Sequence, residues 1–430
     1  MSEFSSSKRR LLQLLSTDEI ENIHNASLMI LEKTGAMIKN NQALNALKDF
    51  GCEVDFDKKI AHIPTHLLKD CLSKVPSIIR LYSRDGKREL IVGENHTIFD
   101  PGSSAVYFAD HETDEIRQPL SKDLVELVKL VDALKYIQAQ STAMVPSEVP
   151  EEIGDLYRLY LVLKNSTKPI ITGAFTKQGL IDMKRLLEVV VGGEDKLATK
   201  PMAIFDACPS SPLMWSDTTC QNLIDCAKFN IPAEIISAPQ MGATSPITLA
   251  GTLVQFNAEF LSGMVISQIT KPGAPVIYGG SPTTFDMKYL SSRLGSIENM
   301  MVACGASQVA KYYRLPTHAY LGLSDSKMID GQSGIESNLG IILGALAGIN
   351  VISGPGMLIF ENCQSLEKLV IDNEICGMAL RLVDGIIANA DTLASDVISK
   401  VGPGGHYLAE KHTLKWLEKE HIMPSDVIDR

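Results

Sequence analysis

The apolar positions near the start of the chain follow a helical period. Ser16 and Glu19 have the spacing of a capping box, and Gly35 stands where a helix commonly ends. The apolar residues between them recur every three or four positions and predict a helix with one buried face. Further elements are predicted at Asn41–Phe50, Ile60–His62 and Ile79–Ser83. We therefore expect residues 1–90 to form a small α/β cap.

From about residue 91 the pattern changes to an apolar strand, a loop and an amphipathic helix, which then repeat. The candidate strands are Thr97–Phe108 with a break at Pro101-Gly102, Ile137–Ala143, Pro169–Phe175, Pro201–Cys208, Pro232–Ala238, Pro275–Gly279, Thr317–Leu323 and Asn350–Ser353. Strands that alternate with helices in this way form parallel sheets, and eight repeats favour a (β/α)₈ TIM barrel over an open doubly wound sheet. We predict that barrel for residues 91–430, with a C-terminal extension.

The ends of five predicted strands are rich in glycine, proline and small polar residues. They are Asp206–Pro209, Ala238–Gly242, Tyr278–Pro282, Gly322–Lys327 and Ser353–Met357. Each alone is explained by a tight turn. Because barrel active sites lie at the carboxyl ends of the strands, the five together predict an open site for a bulky ligand.

Composition narrows the class of protein. The 430 residues are 45% hydrophobic with a net charge of −11, as in a soluble enzyme that would favour a cationic substrate. No basic stripe or long apolar span is present, so neither nucleic acid nor a membrane is expected as a partner. Eight cysteines without a C-x-x-C pair, and no secretory signal, predict reduced thiols in the cytoplasm.

Common cofactor motifs are missing from the sequence. It contains no P-loop, no G-x-G-x-x-G after a strand and no G-x-S-x-G nucleophile motif. No group of cysteines and histidines has zinc-site spacing, so we expect no tightly bound metal.

A series of segments carries more specific patterns, in order along nearly the whole chain. They are Ile23–Gly35, Ala243–Gly251, Gly273–Gly280, Phe285–Met287, Ser324–Lys327, Leu369–Glu374 and Val401–Leu408. Together they resemble the trimethylamine methyltransferase (MttB-like) superfamily. The Val-Ile-Asp-Asn-Glu run that ends at Glu374 and the Gly-Pro-Gly-Gly-His run that ends at His406 are the most specific of them.

The resemblance implies a (β/α)₈ barrel that moves a methyl group from a methylated amine to cob(I)alamin, a corrinoid carried by a small partner protein. Founding members of the superfamily carry pyrrolysine near the barrel centre. This sequence shows no such residue, and the corresponding region should lie near Ser324–Gln332. Members without pyrrolysine resemble glycine betaine and related quaternary-amine methyltransferases. We therefore expect a betaine-like donor rather than trimethylamine.

Methyl transfer from a quaternary ammonium group requires that the nitrogen, the methyl carbon and the cobalt be held in line. It also requires a site that binds the cation without water, and aromatic faces and carboxylates provide such a site. Strand-end residues supply the candidates. For substrate binding they are Tyr107, Phe175, Phe205, Tyr278, Phe285, Tyr320 and His406, and the catalytic carboxylates are Asp206, Asp325 and Glu361. Loops expected to face the corrinoid contain Gly279, Gly280, Ser324, Gly354 and Gly356. Tyr278, beside two glycines, is the preferred wall of the ammonium pocket. Barrel packing and helix capping are the alternatives for each.

Two other functions remain open on the sequence. One is a barrel lyase or isomerase that acts on a small carboxylate without corrinoid. The other is a non-catalytic barrel that only binds a betaine or a corrinoid protein. The methyl donor is also open among glycine betaine, proline betaine, carnitine and dimethylated amines, and we expect a homo-oligomer.

Overall fold

The computed structural model describes residues 11–429, so the first ten residues of the predicted cap lie outside it. The capping box at Ser16 is present, with the Ser16 N–H donating to Glu19 and the Glu19 N–H donating to the Ser16 hydroxyl. The N-terminal elements are α1 (Thr17–Lys33), β1 (Ala36–Ile38), α2 (Asn41–Asp49), β2 (Glu53–Asp55), β3 (Ile60–His62), α3 (Thr65–Lys74), β4 (Ile78–Tyr82) and β5 (Glu89–Gly93).

The strand–helix repeat begins directly after this region. Its first half contains β6 (Ile98–Asp100), β7 (Tyr107–Asp110), β8 (Glu115–Arg117), α4 (Ser121–Ala133), β9 (Gln140–Ser141), α5 (Glu151–Asn165), β10 (Ile170–Gly173), α6 (Lys177–Val191), α7 (Glu194–Thr199), β11 (Ala203–Ala207), β12 (Met214–Trp215), α8 (Asp217–Phe229), β13 (Ala233–Ser237) and β14 (Gln240–Met241).

The second half continues the repeat and ends in a helical extension. It contains α9 (Leu249–Thr270), β15 (Val276–Gly280), β16 (Thr283–Asp286), β17 (Ser291–Arg293), α10 (Ile297–Tyr312), β18 (His318–Tyr320), α11 (Gly331–Leu346), β19 (Val351–Ser353), β20 (Met357–Leu358), β21 (Cys363–Ser365), α12 (Leu366–Asp384), α13 (Ser395–Val401) and α14 (Lys411–Glu420).

Eight parallel strands form two arcs that meet at two seams. One arc runs β9-β10-β11-β13-β15 and the other runs β18-β19-β6. At the first seam Tyr278 and Thr317 form a parallel bridge. At the second, the N–H groups of Gln138 and Ala139 donate to the carbonyl of Phe99. This is the cyclic strand order of a (β/α)₈ barrel, and each strand overlaps a segment predicted from the sequence.

The break predicted within the first strand is present in the structure. The run Thr97–Phe108 holds two strands, because Pro101 and Gly102 end β6 and the chain turns out of the barrel. The second strand, β7, pairs with β21 in a small separate sheet. A proline removes a ladder donor and fixes its φ, which explains the break at this position.

The floor of the barrel is closed by apolar side chains. The inward residues of the lower layer are Ile98, Ala139, Ile171, Ile204, Ile277 and Val351, and they form one buried cluster with the β4–β5 hairpin. Ile79, Leu81 and Val92 are the hairpin residues in that cluster. The hairpin therefore seals the end of the barrel opposite to the carboxyl ends of the strands.

Helix α9 is long and apolar enough to cross a membrane, yet most of it is buried within the protein. Gly263 lets the Trp215 ring lie directly against the helix, since a Cβ there would fall 2.3 Å from that ring. The indole N–H donates to Ser262 at 2.9 Å. These contacts are typical of a core helix of a globular protein.

Candidate active site

The inward face of the barrel changes from apolar to acidic toward the carboxyl ends of the strands. Ile204 and Asp206 point the same way because successive side chains of a strand alternate between its faces. Asp206 is paired in register with Glu234 on the neighbouring strand β13. Asp100 lies across from them at the end of β6, where it is fully buried. Three carboxyl groups thus share the upper part of one barrel.

A hydrogen-bonded chain links three neighbouring strands, β18, β19 and β6, in this layer. The His318 Nε2 atom lies 2.9 Å from the Ser353 hydroxyl. That hydroxyl donates to Asp100 Oδ2 at 2.5 Å. Because the serine proton points to Asp100, the network assigns the imidazole proton to Nε2 and leaves Nδ1 as an acceptor.

Several buried polar atoms in the layer have no hydrogen-bond partner. They are Asp206 Oδ1, both carboxyl oxygens of Glu234 and His318 Nδ1. His318 Nδ1 lies 3.8 Å from Glu234 Oε1, and neither side chain reaches solvent. Burial lowers the pKa of His318 to about 3, so the ring is neutral and cannot act as a counter-ion to the glutamate. Unpaired buried polar atoms are costly and commonly mark a functional site.

The carboxyl groups hold their protons more tightly than usual. Burial, opposed by hydrogen bonds from Ser353 and Gly102, raises the pKa of Asp100 to about 7. Burial also raises the pKa of Asp206 to about 7. Burial, with the added repulsion of Asp206, raises the pKa of Glu234 well above its ordinary value. Two carboxyl groups this close cannot both ionise readily, so one proton between Asp206 and Glu234 satisfies both.

A fourth carboxyl group, Glu361, is held over this layer by an unusual loop. Ile359, Phe360 and Glu361 all have positive φ, between 52° and 72°. The left-handed conformation costs roughly 1–2 kcal/mol per residue for non-glycine residues. The Asn362 amide donates to the carbonyls of Ile359 and Phe360 and holds the loop. Burial and the charges of Asp206 and Asp100 raise the pKa of Glu361 to about 8.

The guanidinium nearest to these acids is that of Arg158, on α5. It is 1% exposed, donates to the Thr142 carbonyl at 2.9 Å and pairs with Asp155 at 3.4 Å. The Phe175 ring covers it, with the guanidinium carbon 4.6 Å from the ring centroid. Since Arg158 is already paired, the site keeps an excess of carboxyl groups. An entering cation would offset that excess.

The site opens at the carboxyl ends of the strands. Cys208 and Phe175 are exposed there, and Asp206 and Glu361 are partly exposed although protein surrounds them. Among residues 11–429, no group of three or more His, Cys, Asp or Glu side chains is arranged to hold a metal ion.

The structure brings four of the predicted site residues together. Asp206, Glu361 and Tyr320 lie in the acidic layer, and Phe175 lies at its edge. The Tyr320 hydroxyl lies 3.0 Å from the Ser103 hydroxyl, and its ring meets the His318 ring edge-on at 4.9 Å. Tyr320 therefore contributes an aromatic ring to this acidic layer.

Two predicted aromatic residues face the wrong way, and the expectation for them is corrected. Tyr278 is 2% exposed and packs against Phe256 and Phe260 of α9, with ring centroids 5.5 and 4.3 Å away. Its hydroxyl donates to Asn257 at 3.2 Å. Phe205 is buried in the same outer core. Both residues pack between the strands and the helices, on the strand face opposite to Asp206.

Four other candidates lie apart from the acidic layer. Asp325 accepts from the N–H groups of Leu294 and Gly295 at 3.0 and 2.9 Å, which fixes the chain before α10. The remaining three stand at separate places: Phe285 on β16 lines an open groove, Tyr107 on β7 is 44% exposed, and His406 lies in the exposed C-terminal extension.

The residues expected to face the corrinoid are all buried within the chain. They are Gly279, Gly280, Ser324, Gly354 and Gly356. Gly280 has its own packing role, because a Cβ there would fall 2.0 Å from the Phe256 ring. Ser324 donates to Glu336 at 2.6 Å.

Sequence reasoning missed Asp100, Arg158, Glu234 and His318. Glu234 carries the one usable signal, since a carboxylate inside the apolar run Ala233-Glu-Ile-Ile-Ser is unexpected in a strand that is buried on both faces. His318 and Asp100 also stand in short apolar strands. A search for ionisable residues within predicted barrel strands would have found these three.

Comparison with known proteins decides the family. The model of a family described as "Trimethylamine methyltransferase (MTTB)" matches residues 2–429. The chain belongs to the trimethylamine methyltransferase family. The superfamily inferred from the sequence segments is therefore confirmed, and with it the expectation of an enzyme of the methyltransferase class.

Relatives in this family differ in the substrate that their names give. A trimethylamine methyltransferase of Desulfitobacterium hafniense (strain DSM 10664 / DCB-2) is 34% identical over 96% of this chain and 83% of its own length. The Methanosarcina barkeri trimethylamine methyltransferase is 34% identical over 94% of this chain and 82% of its own length. A glycine betaine methyltransferase of D. hafniense (strain Y51) is 31% identical over 96% and 86%. The identities are too similar to choose a substrate.

A solved structure supports the fold. The crystal structure of the Methanosarcina barkeri monomethylamine methyltransferase covers 90% of this chain and 77% of its own length, with a TM-score of 0.61 and 13% identity. At that identity the likeness concerns the barrel alone. It agrees with the cyclic strand order described above.

Proposed function

We propose that this protein transfers a methyl group from a quaternary or tertiary methylamine that also carries a carboxylate to a corrinoid held by a separate protein. The observation that carries the proposal is the acidic layer, in which Asp206 and Glu234 keep unpaired oxygens beside Asp100 and Glu361. The absence of pyrrolysine from the sequence favours a betaine-like donor over trimethylamine. We further propose a cytoplasmic enzyme and a homo-oligomer.

A methylammonium head would fit the charge of the pocket. Its positive charge would meet the carboxyl groups in a poorly solvated space, where the attraction is stronger than in water. Tyr320, and Phe175 at the edge, offer aromatic faces to the methyl groups. The same acids would repel a substrate carboxylate, so that group would point outward to the opening.

This orientation suits the chemistry. With the ammonium head inward, the chain holds the carbon–nitrogen bond fixed while the amine leaves neutral and keeps the bonding electron pair, so no general acid is needed. The corrinoid, when docked, supplies the cobalt nucleophile that accepts the methyl group. Carboxylates that stabilised the bound cation too well would slow its loss, and the raised pKa values limit that stabilisation.

The test is a methyl-transfer assay with free cob(I)alamin and with a corrinoid protein. The donors are glycine betaine, proline betaine, carnitine, dimethylglycine and trimethylamine, and the cobalt absorbance reports methylation. We expect at least one carboxylate-bearing amine to react and trimethylamine to react weakly or not at all. Rapid demethylation of trimethylamine alone would refute the donor class, and no reaction with any amine would refute the function.

A further inference from the structure

The protonation state of the pair Asp206–Glu234 is not explained by methyl transfer alone. The two residues are register partners on adjacent strands, and both lie under the pocket. A site for a cation needs a negative charge, but two ionised carboxylates at this distance would repel each other. The polar groups around Glu234 indicate how the apo protein resolves this conflict.

The histidine beside Glu234 indicates that the glutamate is protonated before substrate binds. The hydrogen-bonded chain through Ser353 leaves the lone pair of His318 Nδ1 facing Glu234 Oε1 at 3.8 Å. An ionised carboxylate opposite a lone pair would be repelled. A carboxylic acid has a proton that it can direct to Asp206 or to His318. The geometry therefore favours one proton on the pair in the empty site.

The other charged and titratable groups around Glu234 do not supply a counter-ion. From β6, α5, β11, β18 and the loop after β20 they are Asp100, Arg158, Asp206, Cys208, His318, Tyr320 and Glu361. Arg158 is the one cation of this set, and it is paired with Asp155 and the Thr142 carbonyl. Arg158 therefore offsets part of the charge of Asp206, and a proton neutralises Glu234 in the empty site.

We propose that the substrate cation and a proton compete for the Asp206–Glu234 pair, so that binding of a quaternary ammonium compound expels one proton from the barrel. This inference rests on the proposed function and adds a coupling to it. When the methyl group leaves as a cation and the amine remains neutral, the pocket loses its positive charge and regains the proton. The pair, together with its proton or its cation, then keeps the same net charge in the empty, substrate-bound and product-bound states.

The coupling predicts the direction in which substrate affinity changes with pH. Because the bound state holds fewer protons than the empty state, affinity must rise with pH. Burial and the charge of Asp206 raise the pKa of Glu234 well above its ordinary value, so the dissociation constant should fall as pH rises and level off once Glu234 ionises in the empty site. The slope approaches about tenfold per pH unit for one proton. A neutral ligand of the same shape should show no such slope.

Titration calorimetry in phosphate and in Tris, which differ in ionisation enthalpy, measures the protons released. The probes are glycine betaine, tetramethylammonium and 3,3-dimethylbutyrate, the last being betaine with carbon in place of nitrogen. We expect release of about one proton near pH 6.5 for the two cations and none for the carbon isostere. Glu234→Gln should bind the cations with almost no release, since an amide has no acidic proton to lose.

A matched control is Glu374→Gln, which changes a buried glutamate on α12 that accepts from the Ser425 N–H. It should release as many protons as the unaltered protein. Should Glu234→Gln fail to fold, the pH slope of the unaltered protein with each cation and with the isostere decides the matter. Cation binding without proton release, or equal release by Glu234→Gln, overturns the coupling but leaves the function standing. Binding of neither cation overturns the coupling, and the methyl-transfer assay with the remaining donors then decides the function.

Discussion

The two inward-facing layers of the barrel are built from the same strands but have opposite composition. In the lower layer Ile204 and its neighbours are buried against the β4–β5 hairpin. One inward position further along the same strand, Asp206 leaves a buried oxygen unpaired. The lower layer buries apolar side chains, as a stable core does, whereas the upper layer buries polar atoms that have no hydrogen-bond partner. The residues that stabilise the barrel and the residues proposed for catalysis are therefore separated by two positions along one strand. Substitutions in each layer test this separation.

The largest expected effect is on activity in the upper layer. Asp206→Asn removes the ionisable group and should lower kcat/KM for the methylamine about 100- to 1,000-fold, or about 2.7–4 kcal/mol, as when a preorganised electrostatic group is lost. Stability should change in the opposite direction. Steady-state kinetics and denaturant unfolding on the same preparation check both.

The stability gain should depend on pH. The pKa of Asp206 rises from about 3.9 in the unfolded chain to about 7 in the folded one. The folded state therefore binds more protons in that window, and the unaltered protein loses stability as pH rises through it. The free energy of unfolding of Asp206→Asn should equal that of the unaltered protein near pH 4 and exceed it near pH 8. An Asp206→Asn protein with full activity would end the distinction between the layers.

How much the sequence could predict also differs between these regions. Strand positions follow from apolar runs of strand length, and Asp206 stands out because it ends such a run. The orientation of Tyr278 could not be predicted, because a parallel strand that is covered on both faces has no alternation of polar and apolar residues. The sequence of such a strand does not show which side chains point into the barrel. The Asp206–Glu234 pair depends on the register between two strands about thirty residues apart, which is a tertiary property. The loop that holds Glu361 contains three residues in the left-handed conformation, and none of them is a glycine that would have indicated this conformation in the sequence.

A change in the lower layer should have the reverse outcome. Ile204→Val removes one methylene from a side chain that is fully buried. It should lower the free energy of unfolding by about 0.5–1.5 kcal/mol through lost burial and a small cavity. The kcat/KM of the folded enzyme should stay within about twofold. Urea unfolding and kinetics check this, and a loss of activity much larger than the loss of stability would show that the lower layer also serves the reaction.

The smallest expected effect tests where the upper layer ends. Phe175 is 54% exposed and covers Arg158 with one face of its ring, which leaves the other face toward the opening. If that face touches the substrate cation, Phe175→Leu keeps the apolar bulk but loses about 0.5–1 kcal/mol of cation–π attraction, or about 2- to 5-fold in KM, with little change in kcat. Tyr160→Leu is the matched control, because Tyr160 on α5 is 43% exposed with the Lys164 ammonium 5.6 Å from its ring centroid. The control should leave KM unchanged. Equal KM values for both variants would place Phe175 outside the pocket, as a cover for Arg158, and the acidic layer would then meet its substrate through Tyr320.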